Sequence, residues 1–297
     1  MTAHPAEPAP STGTGQAAGS EPTVHATAAG KAAVREGTPI WADAMFADLA
    51  GAKSYYAEVL GWTFGESSTE YGDYTEAYAE GKAAAAVVPP MPGAEDVSAW
   101  CLYLASPDAA ATAEKIRRNG GQLLMEPMAV GEFGTMALAR EPSGVVFGVW
   151  QPGTHRGFDA RPPMRGAYCW AEVFTREPER ADAFFQAVFG YRQQRMDDPG
   201  GDFRLYNLGE DTVLGRMSIS GEDFPPEMPP YLNVYFTVDD VDRACARTRE
   251  LGGSVYYGPM DSPFGRFAAL GDPMGAAFSV IDIHTVKGEM PRMEDVS

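Results

Sequence analysis

The chain has 297 residues, 44% of them hydrophobic, and 23 Lys and Arg against 41 Asp and Glu give it a net charge of −18. That length accommodates two domains of ordinary size. Its acidic field argues against nucleic acid and anionic membranes as partners, and no apolar run approaches the roughly 18 residues of a membrane-crossing helix.

Residues 1–37 are almost entirely Ala, Pro, Thr, Gly, Ser and Glu, with no aromatic residue. Such a segment cannot bury enough surface to offset its ordering entropy and reads as a disordered tail. It has neither the basic start nor the apolar core of a secretory signal. A strand is predicted over 40–47, then a helix with apolar residues Ala52, Tyr55, Tyr56, Val59 and Leu60, stopped at Gly61-Trp62. Strands follow at 73–78, 83–88 and 100–105, a helix over 107–118 that ends at Gly120-Gly121, and strands at 133–139 and 145–150. Pro152, Gly153, Pro162 and Pro163 mark residues 152–166 as a linker.

The same order then repeats. Trp170-Ala171-Glu172 answers Trp41-Ala42-Asp43, and Phe184-Phe185 through Gly190-Tyr191 answers Tyr55-Tyr56 through Gly61-Trp62. Asp272-Pro273-Met274-Gly275 answers Glu141-Pro142-Ser143-Gly144. An internal repeat fixes architecture ahead of local propensity. Domain one spans 38–151, domain two 167–283, and 284–297 form a C-terminal tail. Each domain is expected to contain two βαβββ modules, in an α+β fold whose curved mixed sheet has helices outside and a concave cavity inside.

Strand alternation sorts the side chains. Leu232, Val234 and Phe236 suit the helix-covered face, and Asn233 and Tyr235 the concave one. The concave set also takes Trp41, Asp43, Met45 and Tyr103 in domain one, where Trp150 is a further aromatic candidate. In domain two it takes Trp170, Glu172 and Phe174, with Arg266 a candidate for the mouth. Trp100 is expected in the core.

The helix motif ending in Gly-aromatic, the run Val238-Asp239-Asp240-Val241-Asp242 through Gly252-Gly253, and Asp272-Pro273 through Ile281 resemble the vicinal oxygen chelate superfamily. This is the glyoxalase, bleomycin-resistance and dioxygenase group, and the likeness is to its tandem two-domain actinobacterial type. It covers about 39–151 and 167–283. The resemblance implies metal ligands, usually His, His and Glu, on the first, fifth and eighth strands of a domain. The matching residues are Trp41, Cys101 and Gly148 in domain one and Trp170, Asn233 and Ser279 in domain two. None supplies an imidazole or a carboxylate. The four histidines lie in the tail (His4, His25), the linker (His155) and after the last strand (His284). No metal or other cofactor is therefore expected.

Asp43 and Glu172, each two residues after a Trp, are the candidate acid–base residues; burial beside an indole raises a carboxyl pKa. They serve equally as structural hydrogen-bond acceptors, or as a seat for a cationic or hydroxyl-bearing ligand. Gly148 leaves room for a flat ligand against Trp41, while polar Asn233 and Ser279 favour domain two. Arg266 either reaches over the mouth or pairs with Asp261 or Asp272. Cys101, lacking a neighbouring His or Lys, reads as a small hydrophobe. No serine triad, phosphate loop or dinucleotide fingerprint is present.

The expected function is metal-independent binding of a small molecule, cationic or aromatic, for sequestration or resistance. The alternative is a cofactor-free isomerase, cyclase or lyase using Asp43 or Glu172; a metal-dependent lyase or dioxygenase ranks last. Three cysteines without CxxC spacing indicate a reducing, cytoplasmic setting. The chain is expected as a monomer or homodimer.

Overall fold

The computed structural model describes residues 34–90, 93–95, 97–198, 201–220 and 224–296. The first half forms β1 (Pro39–Met45), α1 (Leu49–Leu60), β2 (Thr63–Phe64), β3 (Thr75–Ala79), β4 (Lys82–Val88) and β5 (Ala99–Ala105). It continues with α2 (Ala109–Arg118), β6 (Gln122–Val130), β7 (Gly134–Arg140) and β8 (Val146–Pro152). The second half repeats it with β9 (Tyr168–Thr175), α3 (Pro178–Phe189), β10 (Arg192–Asp198), β11 (Gly201–Leu208) and β12 (Asp211–Ser218). It is completed by β13 (Tyr231–Thr237), α4 (Val241–Glu250), β14 (Ser254–Ser262), β15 (Gly265–Gly271), β16 (Ala277–Asp282) and a short β17 (Met293–Asp295).

The sheets are ordered β2-β3-β4-β1-β5-β8-β7-β6 and β17-β10-β11-β12-β9-β13-β16-β15-β14. In both, the two modules meet at an antiparallel central pair, β1 with β5 and β9 with β13. This is the tandem α+β architecture expected from the repeat.

Local chemistry sets the helix ends. Asp48, Asp108 and Asp240 accept from the third following backbone N–H and cap α1, α2 and α4. Hence α2 begins two residues later than the apolar pattern alone suggests. Gly61 and Gly190 close α1 and α3 at φ of 76° and 73°, in the left-handed region that a side chain disfavours.

The helices cover the convex sheet faces, but much of their surface is buried between the two domains. Phe147 of domain one packs on Phe184, Phe185 and Phe189 of α3, with ring centroids 5.7–6.1 Å apart. Reciprocally, Trp62 and Trp100 lie 5.1 and 5.0 Å from Phe236 of domain two. Each such aromatic pair contributes about 0.5–1.5 kcal/mol beyond the area it buries. The Tyr56 hydroxyl donates to Asp272 Oδ2 at 2.9 Å and accepts from Trp100 Nε1 at 3.0 Å. Asp272 also accepts from the backbone N–H groups of Met274 and Ala276. The Asp-Pro-Met-Gly motif thus organises its own turn and receives the other domain's tyrosine. Trp100 is core, as its alternation predicts.

Residues 1–33 of the predicted tail lie outside the described residues. Val34–Gly37 are held against the fold: Gly37 N donates to Ala105 O at 2.8 Å, and Lys115 pairs with Glu36 at 2.7 Å. Part of the predicted C-terminal tail forms β17, which covers the β10 edge.

Candidate functional site

Register places equivalent side chains on the two concave faces. In domain one Trp41 lies opposite Tyr103 and Asp43 opposite Cys101 across β1 and β5, and Tyr103 neighbours Gly148 on β8. In domain two Trp170 lies opposite Tyr235 and Glu172 opposite Asn233, and Tyr235 neighbours Ser279. Each domain therefore carries a Trp, an acid two residues later, and a Tyr facing them from the next strand.

The domain-one floor is covered. Trp41 is only 3% exposed, and its Nε1 donates to the Tyr74 hydroxyl at 2.6 Å. The linker lays the His155 ring edge-on against Trp41 at 4.4 Å and brings Phe158 to 5.5 Å. Trp150 is also buried, 5.6 Å from the His155 ring, and its Nε1 donates to the His155 carbonyl at 3.1 Å. The space that Gly148 was expected to leave for a ligand is filled. A Cβ there would stand 2.1 Å from Cδ1 of the Tyr103 ring, so the glycine serves Tyr103.

Burial dominates the electrostatics of this face. It raises the Asp43 carboxyl from 3.8 to about 7, opposed by the Tyr103 hydroxyl beside it. Burial, reinforced by the Asp43 charge, pushes the Cys101 thiol well above its ordinary value, so it is no thiolate nucleophile. Burial lowers His155, although Glu76 opposes the shift with an oxygen 3.9 Å from Nδ1. Its Nε2 is buried without a hydrogen-bond partner.

The domain-two floor is knit differently. Glu172 Oε1 accepts from Trp170 Nε1 at 3.1 Å, and Oε2 from the Tyr235 hydroxyl at 2.9 Å. Asn233 Nδ2 donates to Ser279 Oγ at 2.9 Å. Gly215 of β12 lets the groups converge, since a Cβ there would lie 2.6 Å from the Phe203 ring, 2.9 Å from Glu172 and 3.2 Å from Trp170. Trp170 remains half-buried, as do Phe174, Tyr231 and Met217 on the same face. The Phe174 and Tyr231 rings meet at 5.0 Å. The result is an aromatic surface with its acid already engaged by neutral donors.

Met45 is half-buried at the domain-one margin, opposite Ala99 and Val88. Arg266 does not reach over the mouth. Asp242 holds its Nε and Nη2 at 2.7 and 2.9 Å, and Asp261 holds Nη1 at 2.7 Å. Three strong charge-assisted bonds fix it on the exterior, and Asp272 is not among its partners. Sequence reasoning missed Tyr74, His155, Phe158 and Gly215. Only Gly215, a glycine inside a strand pattern, carried a signal of close approach.

The positions aligned with the family's metal ligands carry Trp, Cys, Gly, Trp, Asn and Ser. Among the described residues no three His, Cys, Asp or Glu converge as a metal set. The Asn233 amide and Ser279 hydroxyl bond to each other. These residues do not fit the divalent site of the metal enzymes. Among the described residues no helix is long and apolar enough to cross a membrane.

The sequence profile of the glyoxalase/bleomycin resistance protein/dioxygenase superfamily matches residues 41–149 and 169–280. The chain is 36% identical over 253 residues to "Putative glyoxylase CFP32" of Mycobacterium tuberculosis, covering 83% of this chain and 95% of that protein. It is 32% identical over 263 residues to "Anthracycline biosynthesis protein DnrV" of Streptomyces peucetius, covering 83% and 94%. In fold it is similar to the Mn(II)-bound glyoxalase from Novosphingobium aromaticivorans, with a TM-score of 0.57 at 18% identity, covering 86% and 87% of the two chains. The 2,3-dioxygenase LapB from Pseudomonas sp. KL28 superposes with a TM-score of 0.58 at 13% identity, covering 87% and 96%. With both halves matched and relatives similar over nearly their full length, the chain belongs to the glyoxalase/bleomycin resistance protein/dioxygenase superfamily as a tandem two-domain member.

Proposed function

We propose that the chain binds a planar aromatic small molecule on the concave face of domain two, without a metal, and holds it rather than transforming it. The observation that carries this reading is the state of the two equivalent tryptophans: Trp41 is covered and Trp170 is half-buried beside Phe174, Tyr231 and Met217. Small-molecule sites are concave and mostly apolar, with a few placed polar groups. Glu172 has an oxygen bonded to Trp170 and the other to Tyr235, so the aromatic surface, more than the acid, is what the face offers a ligand. The relatives named for anthracycline biosynthesis point to polycyclic aromatic chemistry of the same kind. The absence of nucleic-acid and membrane partners belongs to this reading, as does a cytoplasmic location.

The test is a fluorescence titration of wild type and a Trp170→Ala variant with 1,2-dihydroxyanthraquinone. Wild type should quench saturably, and loss of the indole should weaken binding by about tenfold, or ~1.4 kcal/mol. Equal affinity in the two proteins would remove Trp170 from the site.

One observation favours a second reading, a cofactor-free isomerase, cyclase or lyase. Asp43 titrates at about 7, where a general acid or base works best at neutral pH. Glu172 loses this role to its structural bonds. Turnover that survived Asp43→Asn would exclude it.

A further inference from the structure

The two concave faces share a Trp–acid–Tyr floor and differ in what lies on it. In domain one the occupant is part of the chain. The His155 ring sits 4.4 Å from Trp41 at an interplanar angle of 87°, and 5.6 Å from Trp150 at 70°. The backbone around it is built to hold this pose. Gly153 N donates to Phe133 O at 2.7 Å, and Phe158 N to Ile40 O at 2.9 Å. At Gly157 (φ 92°) the linker passes so close to β1 that a Cβ would stand 2.1 Å from the Ile40 carbonyl oxygen.

After β16 the chain takes another route. Lys287 N donates to Ser262 O, Arg292 O accepts from Asp197 N, and β17 joins the far edge at β10. His284 is exposed. Among the described residues no aromatic ring packs on Trp170, whereas His155 and Phe158 both pack on Trp41.

We propose that domain one contains a second ring-binding site of the same design, filled in the resting chain by its own His155, and that the open counterpart in domain two takes a planar, uncharged heteroaromatic ring. The second half rests on the assignment of the domain-two face as a ligand site; the first half does not. His155 is an intramolecular ligand. It presents a flat neutral ring with a ring nitrogen to an indole wall, and it leaves Nε2 buried and unpartnered. An unmade hydrogen bond of that kind weakens the seating, so a free ring with the same shape competes for the place once His155 is gone.

The test follows the five tryptophan indole N–H resonances of the full chain during titration with 4-methylimidazole, the detached side chain of histidine. In wild type the Trp170 resonance should shift saturably and Trp41 should not. In a His155→Ala variant both should shift, so the number of responding sites rises from one to two. A His155→Phe variant refills the space and should return the response to Trp170 alone. If the alanine variant loses its dispersed spectrum, His155→Asn, which keeps more of the side chain, takes its place with the same expectation. A silent Trp41 in the folded alanine or asparagine variant overturns the second site. A silent Trp170 in every protein overturns the domain-two ligand assignment and leaves the domain-one result to stand or fall on Trp41.

Discussion

Replacing Asp43 by Asn should stabilise the protein at alkaline pH and leave it nearly unchanged in acid. The folded carboxyl ionises at about 7 and the unfolded one at 3.8, because the folded group is buried at 8% exposure. The native state therefore holds this proton more tightly. Its contribution is fully present below pH 3.8, drains away as pH rises towards 7, and is gone above that. At about 1.4 kcal/mol per pH unit, the total lost across that window is about 4 kcal/mol. Asn is close to an isostere of the protonated acid, can still bond to the Tyr103 hydroxyl, and has no charge to bury. Urea denaturation of both proteins at pH 4, 5.5, 7 and 8 isolates this residue, since other titrations cancel in the difference. The variant's advantage should grow from near zero at pH 4 to several kcal/mol at pH 8. A difference that does not change with pH, or that favours wild type as pH rises, would refute the argument that Asp43 is buried against its own ionisation.

Three further outcomes follow from the packing. Gly148→Ala drives a methyl group into the Tyr103 ring and should cost about 1–3 kcal/mol, read as a lowered midpoint of thermal unfolding. Tyr56→Phe strands the Trp100 indole N–H and removes a donor from Asp272; a loss of about 1–3 kcal/mol is expected, within one calorimetric transition because the domains share their core. Glu172→Gln can keep both contacts, its Oε1 accepting from Trp170 and its Nε2 donating to the Tyr235 hydroxyl, but it turns two charge-assisted bonds into neutral ones, so a loss of about 1 kcal/mol is expected, and the Trp170 indole N–H resonance should move.

Much of the fold was legible because the repeat is written in residues with unambiguous roles: Gly61 and Gly190 as helix stops, Asp272 and Glu141 at the turns, and period-two alternation in β1, β5, β9 and β13. The strand after each helix was not placed. β6 and β14 are sheet edges interrupted by Pro127 and Pro259, with Leu124, Met128, Tyr256 and Tyr257 exposed, so neither alternates cleanly. β2 has only two residues. The site was legible as far as one strand predicts its own face, which put Trp41 with Asp43 on one floor and Trp170, Glu172 and Tyr235 on the other. What one strand does to the next was hidden. Gly148 reads as space until the Tyr103 ring is seen lying on it, and the sequence offers Asp261 or Asp272 as the partner of Arg266 without showing that Asp242 of α4 takes two of its donors. His155 looked inert because the linker has no period to show which way it turns, yet it supplies the wall that separates a closed face from an open one.

The domain-two face is proposed to bind a planar aromatic molecule without a metal. Calorimetric titration of chelator-treated, metal-free protein with 1,2-dihydroxyanthraquinone tests it most directly. One site per chain, with unchanged affinity after Mn2+ is added back, is the predicted result. No binding, or binding that appears only with the metal, would contradict it.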